Sequence, residues 1–463
     1  MSAREVDLPI PQARGRMLLR LRAFRADPLA EVARACAELG DTFQFSALST
    51  HVIFTRDPAF VQRILVDNQR NYRKRTRGYD VMRRALGEGL VTSDGEVWRR
   101  QRRLMQPAFH GQRVAAFGQT MVDATLAALR RWEDRAPAPM LLAQEMNALT
   151  LAVVCRTLFG ADAPGETAQV ARDLAELNRY LARNIRDLLA PPPWVPTPSN
   201  LAFRHSLGRL DQVVAAIIAA RRARGPGGGG ADADLLDLLM AATDEETGAG
   251  MSDAQLRDEV MTLFVAGHET TATHLVATFT LLDRHPKVRA RLEDELDAVL
   301  AGRPPTVEDL RRLPWLDQVI RESLRLLPPV TFFARSAAEA DRLGPYAVPA
   351  GSLMLISPWI LHRHSGLWSD PEAFDPARFE PLRGGEVRGF IPFAVGQRAC
   401  IGAAFAAVEA KLVLATVMGR GRLTLQPGAD VGFAPAVTLQ PRGPLPVVLT
   451  PRTPRLDKSA PQA

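Results

Sequence analysis

Phe393-Ala394-Val395-Gly396-Gln397-Arg398-Ala399-Cys400-Ile401-Gly402 places one cysteine behind a turn, with a glycine on each side and an arginine two residues before the sulfur. A free thiol with a pKa of about 8.5 is mostly protonated at neutral pH, whereas metal binding needs the thiolate. Holding it ionised takes a metal, a helix N-terminus or aimed backbone N–H groups. Gly396 permits a turn where a side chain would clash, and Gly402 permits close backbone approach to a flat cofactor. The apolar run from Ile401 predicts a helix whose positive end sits beside the sulfur. Phe393 is placed to shield the sulfur from water, and Arg398 offers a fork for a cofactor carboxylate.

A lone cysteine is ordinarily a small buried hydrophobe. Five specified positions inside ten residues change that reading, since such a match is expected about once in ten thousand chains of this length. The pattern Phe-x-x-Gly-x-Arg-x-Cys-x-Gly resembles the haem-thiolate loop of the cytochrome P-450 superfamily. The resemblance implies that Cys400 is the axial ligand of a haem iron, with haem b (iron protoporphyrin IX) as cofactor. It also implies a mainly α-helical fold with a small β region, a single domain over residues 1–463, and a long central helix across the haem. Residues 1–26 are then an N-terminal segment and 453–463 a disordered tail.

Composition agrees with a large folded core. Of 463 residues 46% are apolar and 24% charged, and no run of eighteen uncharged apolar residues marks a membrane anchor. Met1 to Pro11 has charges and two prolines but no apolar signal region, so a cytoplasmic protein is expected. The cysteines at 36, 155 and 400 are far apart and match no disulfide or zinc spacing. The net charge of +7 rests almost wholly on arginine, and no basic helix with interleaved aromatics points to nucleic acid. The clusters Tyr72–Arg75 and Trp98–Arg103 suit haem carboxylates or an acidic protein partner.

Along the chain, Asp27-Pro28 and Asp57-Pro58 each predict a helix start, and Gly40 closes the first helix. Strands are predicted at Thr42–Ser46 and His51–Thr55. Tyr79 to Gly95 has three glycines and no sustained period, and reads as a loop over the cofactor. The helix from Glu96 puts Trp98 and Arg102 on one face. In the resembled family a tryptophan and an arginine at this spacing contact a haem propionate. Arg99, Arg100 and Arg103 are expected to face solvent. Pro191 to Pro196 between two helices is equally a substrate lid or a packed surface turn, and Gly225 to Gly230 reads as a flexible loop.

Ser252-Asp253-Ala254-Gln255 predicts a capping box, opening a helix of about thirty residues and ~45–50 Å. Its centre is Ala266-Gly267-His268-Glu269-Thr270-Thr271. Glycine in a helix interior costs about 0.5–1 kcal/mol, which a small molecule lying against Gly267 would explain. Thr270 can bond back to the Ala266 carbonyl. This stretch resembles the family's oxygen-activation motif, which implies that Thr270 steadies bound dioxygen and Glu269 brings protons. His268 is outside that motif and reads as packing.

Glu322-x-x-Arg325 alone is an ordinary helix-surface pair. In the family such a pair is buried against a second arginine, which Arg378 would supply, although Ala377 stands where the family has glutamate. The role implied for Glu322, Arg325 and Arg378 is structural. Arg335 resembles a second propionate ligand. Leu263, Phe264, Ala266, Phe332, Phe333 and Phe433 are candidate walls of an apolar substrate pocket. Strands near Tyr346–Val348 and Leu353–Ile356 would complete the sheet.

The resemblance implies a monooxygenase inserting one atom of O2 into an apolar small molecule. With no glycine-rich dinucleotide fingerprint after a strand, electrons would come from a ferredoxin or flavodoxin with its reductase. The rivals are a haem-thiolate peroxygenase or isomerase, against which Glu269-Thr270 argues, and a haem-binding sensor without catalysis.

Overall fold

The structure is a computed structural model that describes residues 8–13, 23–47, 50–160, 167–187, 190–223, 234–244, 248–382 and 388–453. Gly225–Gly230 and the tail beyond residue 453 lie outside the described residues. The fold is mainly α-helical, as read from the sequence, with four small β-sheets among the described residues. No helix among those residues is long and apolar enough to cross a membrane.

The centre is the 32-residue helix Asp253–Arg284. From Glu259 to Thr280 every residue is buried except Ala266, Gly267 and Thr270. A helix with apolar residues on all sides must be enclosed by others, and this one packs most extensively on Leu142–Phe159. Several of its threonines bond back along the helix, although the Thr262 hydroxyl is buried without a hydrogen-bond partner. Thr270, Thr278 and Thr280 donate to the carbonyls four residues back at 2.8, 2.8 and 2.7 Å. Ser252 caps the first turn by accepting from Gln255 N at 3.2 Å. The predicted capping box is only half made, because Gln255 Oε1 instead accepts from Arg100.

The largest sheet has five strands in the order Thr42–Ala47, Thr50–Thr55, Leu353–Ile356, Phe333–Ala337, Tyr72–Arg73. The pair 50–55/353–356 is parallel and the other neighbours antiparallel. Both Asp-Pro helix starts form as read: Asp27 and Asp57 each accept two backbone N–H groups of the following turn. Tyr346–Val348 does not join this sheet; it pairs with Asp341–Leu343 in a separate ribbon. Phe433–Pro435 and Leu439–Pro441 form another two-stranded hairpin.

Two further expectations are corrected. Tyr79–Gly95 is not one loop, because Arg77–Leu86 is a helix that buries Tyr79, Val81, Ala85 and Leu86. Gly87, at φ +57°, ends it, so only 87–94 is irregular. Arg100 is half-buried and donates to the Ala249 and Gly250 carbonyls, whereas Arg103 is exposed, as read, and also pairs with the buried Asp244. In the Pro191–Pro196 connection Asn200 Nδ2 donates to the Pro192 and Val195 carbonyls, both at 2.8 Å.

Candidate active site

The cysteine loop is built by contacts from distant parts of the chain. Gly396 has φ +77°, and a Cβ there would lie 2.3 Å from the Leu65 carbonyl oxygen. Glycine is required on both counts. Leu65 belongs to a π-helical turn, Arg63–Asp67. Cys400 N donates to Phe393 O at 2.9 Å and Ala399 N to Gly396 O at 3.0 Å, closing the turn. Gly402 is the N-cap of the helix Ala403–Arg420. Cys400 keeps solvent-accessible surface although protein surrounds it deeply, so its thiol borders an interior cleft. Burial pushes its pKa up, opposed by the Gly402 N–H and the Arg102 charge. Unaided, the site favours the thiol; a metal ion would shift it to thiolate.

Behind the loop, Glu322 and Arg325 are fully buried and paired at 2.7 and 2.8 Å. Arg378 Nε reaches Glu322 at 3.1 Å, as does Asp375 N at 2.9 Å. Arg325 also donates to the carbonyls of His362, Pro371 and Ala373. Every donor of the pair is thereby directed to an acceptor, the condition under which a buried ion pair is tolerated. His362 extends the cluster to the loop: Nε2 accepts from Ile391 N at 2.9 Å while Nδ1 faces Arg325 O at 3.1 Å. A backbone N–H can only donate, so the imidazole proton is on Nδ1.

Cations collect on one side of the site. Arg398 stacks over the Trp98 ring at 4.1 Å, donates to Ser93 O at 3.2 Å and pairs with Asp94. Arg102 Nη1 donates to Ala399 O at 2.9 Å. Arg335 Nη1 reaches Tyr79 Oη at 3.0 Å. Lys74, one member of the Tyr72–Arg75 cluster, is buried with Nζ on Val91 O at 2.8 Å. Burial, then Arg335 and Arg398, hold the Lys74 pKa well down, and burial lowers Arg398 to about 10. Four basic groups therefore share this region, with the Asp94 carboxylate on one of them. The set suits a ligand with two carboxylates and a metal for the thiol, which are the attachment points of a haem.

On the long helix, Ala266, Gly267 and Thr270 form the one partly open face of a buried rod. Thr270 Oγ1 donates to Ala266 O at 2.8 Å, as its spacing predicts. The missing Cβ of Gly267 would sit 3.2 Å from Val154, so the close approach seen there is helix on helix. Glu269 is buried, with its carboxyl held by Asn178, Thr438 and Gln440. Burial raises its pKa to about 7, against the Thr438 hydrogen bond. His268 faces the Phe264 carbonyl and is kept neutral by burial, its pKa near 4. Glu409, fully buried near Thr271, is pushed well above the carboxylate range. Thr271 spends its proton on Gly267 O at 3.3 Å, so neither Glu409 oxygen has a hydrogen-bond partner.

The candidate pocket residues divide. Ala266 lies on the open face, with Leu263 at its edge one turn earlier. Phe264 does not: fully buried, it turns with Val260 and Thr271 into the helix packing. Phe332 packs against Phe24 and Phe333 lies under the Arg335 guanidinium. Phe433 lines an outer cleft of about 370 Å³ with Trp359, Arg56 and Arg363. No local sequence pattern distinguishes these positions.

A cysteine loop beside a long helix, backed by a Glu-Arg-Arg cluster and flanked by cations, defines a haem-thiolate class of site. The sequence pattern described as Cytochrome P450 matches residues 12–444. Cyclooctatin synthase of Streptomyces melanosporofaciens is 40% identical over 85% of this chain and 85% of its own. Cyclooctat-9-en-7-ol 5-monooxygenase of the same organism is 40% identical over 81% of each. Pentalenene oxygenase of Streptomyces avermitilis is 35% identical over 90% of this chain and 91% of its own. The crystal structure of the cytochrome P450DA heme domain superposes with a TM-score of 0.87 at 29% identity, covering 97% of this chain and 98% of that one. The chain belongs to the cytochrome P450 family. It is a haem-dependent monooxygenase, which takes O2, an organic substrate and electrons from a redox partner.

Proposed function

We propose that Cys400 ligates the iron of a haem b and that Lys74, Trp98, Arg102, Arg335 and Arg398 hold its carboxylates. The observation that carries this reading is the gathering of Lys74, Arg102, Arg335 and Arg398, with one carboxylate among them, beside a thiol on an interior cleft. Cys36 and Cys155 are buried and no Cys-x-x-Cys-His attachment motif occurs, which supports a non-covalent haem. Bound there, the haem supplies the activation of dioxygen and transfer of one oxygen atom.

The chain's own part is to bind, orient and move protons. The Gly402 N–H and Arg102 favour the ionised sulfur. Phe393, partly buried against the core, limits water at the loop. Thr270 has its proton engaged by Ala266 O, so its lone pairs are available to accept from a water or a protonated oxygen. Glu269, with a pKa raised to about 7, changes protonation near neutral pH, as a proton carrier must. Leu263 and Ala266 offer apolar surface at the open face of the helix.

The substrate is an alicyclic compound with few or no polar groups. Two relatives bear names built on a cyclic alkene and a cyclic alkenol, pentalenene and cyclooctat-9-en-7-ol. The donor is a ferredoxin or flavodoxin with its reductase, since no glycine-rich dinucleotide fingerprint follows a strand.

The test is the carbon-monoxide difference spectrum of the dithionite-reduced protein beside Cys400→Ser. A strongly red-shifted Soret band in the wild type alone is expected. A histidine-type spectrum unchanged by the substitution would remove Cys400 as the ligand. Incubating pentalenene and cyclooctat-9-en-7-ol with donor proteins and O2 then asks for products gaining one oxygen.

A further inference from the structure

The Glu269 carboxyl is gripped by neutral groups from two other elements. Asn178 Nδ2, on the helix Thr167–Arg186, donates to Oε2. From the Phe433–Pro441 hairpin, Thr438 Oγ1 and Gln440 Nε2 donate to Oε1 at 2.9 and 3.0 Å. Gln440 Nε2 also lies 2.9 Å from Thr438 Oγ1. This arrangement satisfies an ionised carboxylate, which only accepts. A protonated carboxyl brings an O–H that needs an acceptor of its own. Asn178 Oδ1 is buried and has no hydrogen-bond partner. It sits on the same planar amide as the nitrogen that already faces Oε2, and a half-turn of that amide exchanges the two atoms.

We propose that Asn178 follows the protonation of Glu269 by turning its amide, making it a positioning residue for proton delivery. With Glu269 ionised, Nδ2–H donates to Oε2; with Glu269 protonated, Oε2–H donates to Oδ1. One proton from water adds at Oε2, and one hydrogen bond is exchanged for another. In either state one amide atom lacks a partner, and the bond to the charged carboxylate is the stronger of the two exchanged. The inference rests on the reading that Glu269 carries protons. Charged groups on the packed elements are engaged elsewhere or exposed. Arg186 donates to Pro435 O, Arg179 pairs with Glu176, and Asp173 pairs with Arg209. Asp211 pairs with Arg257, Arg183 is exposed and Arg156 half-buried. His268 faces Phe264 O and Glu409 lies near Thr271. Each hydrogen-bond partner of the Glu269 carboxyl is thus neutral.

The experiment is an infrared pH titration of the haem-loaded full chain, following the carboxylic-acid C=O band that Glu269→Gln abolishes. In Asn178→Leu the carboxylate loses the stronger bond and the acid the weaker, so proton affinity is expected to rise about several-fold. In the wild type, a side-chain amide band is expected to shift with the same midpoint and to become pH-independent in Glu269→Gln. An unmoved carboxyl midpoint in Asn178→Leu, or an amide band indifferent to pH in the wild type, would overturn the proposal. If Asn178→Leu loses the red-shifted carbon-monoxide band and is misfolded, the wild-type and Glu269→Gln comparison decides alone. The underlying reading is tested apart. Hydrogen peroxide released per O2 consumed with surrogate donor proteins should rise in Glu269→Gln, and an unchanged yield would remove Glu269 from proton delivery while the infrared result stood.

Discussion

Gly396 is the residue on which the cysteine loop turns, and two independent penalties protect it. A side chain there meets positive φ, about 1–3 kcal/mol, and the Leu65 carbonyl as well. Gly396→Ala is therefore expected to lower the melting temperature and reduce the thiolate carbon-monoxide band. Glu259 makes a pH-dependent claim. Burial lifts its pKa to about 8, with the Leu90 N–H opposing and Asp258 adding. The folded state thus keeps a proton that the unfolded chain releases near pH 4.3. Between those values the folded state binds more protons, so stability falls as pH rises and levels off above about 8. Glu259→Gln removes that slope. Urea unfolding at pH 5 and pH 9 should show the variant gaining about 4 kcal/mol on the wild type across the interval. At this scale the local motif was legible because its residues are neighbours in sequence. Tyr79 and Asp94 were not, and Lys74 only as part of a basic cluster, because the fold alone carries them to Arg335 and Arg398.

The long helix shows how far periodicity can be read. Its start, its length and the Thr270-to-Ala266 bond follow from sequence. Which face is open does not, because apolar residues surround it and the partner helices make the choice. The structure opens the face of Ala266 and Thr270 and closes that of Phe264. Phe264→Ala is accordingly expected to cost about 3–5 kcal/mol of stability with little change in the affinity of a substrate seen by its spectral shift. Ala266→Phe should do the reverse, blocking the shift at little cost in melting temperature. Equal effects on binding would contradict the assignment of faces. The helix Arg77–Leu86 was missed because charges interrupt its apolar stripe and Thr76 makes no side-chain cap. The Gly87 stop was the signal that could have found it.

Across the molecule, the two ends of the chain's chemistry are joined by buried polar groups. Glu322, Arg325 and Arg378 hold the segment before the loop, and His362 passes that constraint to Ile391. Removing one member of a buried pair costs about 3–5 kcal/mol because its partner stays charged. Glu322→Gln is expected to fall in that range by denaturant unfolding and to lower haem content on purification. His362→Ala should retain more stability but broaden the thiolate Soret band, since it frees Ile391 N. The family motifs announced the Glu-Arg-Arg set, whereas nothing in the order of residues announced His362 or the Asn178–Thr438–Gln440 grip on Glu269.

The turn at Pro191–Pro196 leaves Trp194 76% exposed. The other tryptophans, at 98, 132, 315, 359 and 368, are buried or half-buried. The protein therefore carries a built-in fluorescence reporter on the connection between two helices beside the core. Acrylamide should quench a red-edge emission component that Trp194→Phe removes. If the turn folds down over bound substrate, that component shifts to the blue and becomes protected. If it is only a surface turn, ligand leaves the component as it was, and the light from one side chain tells the two apart.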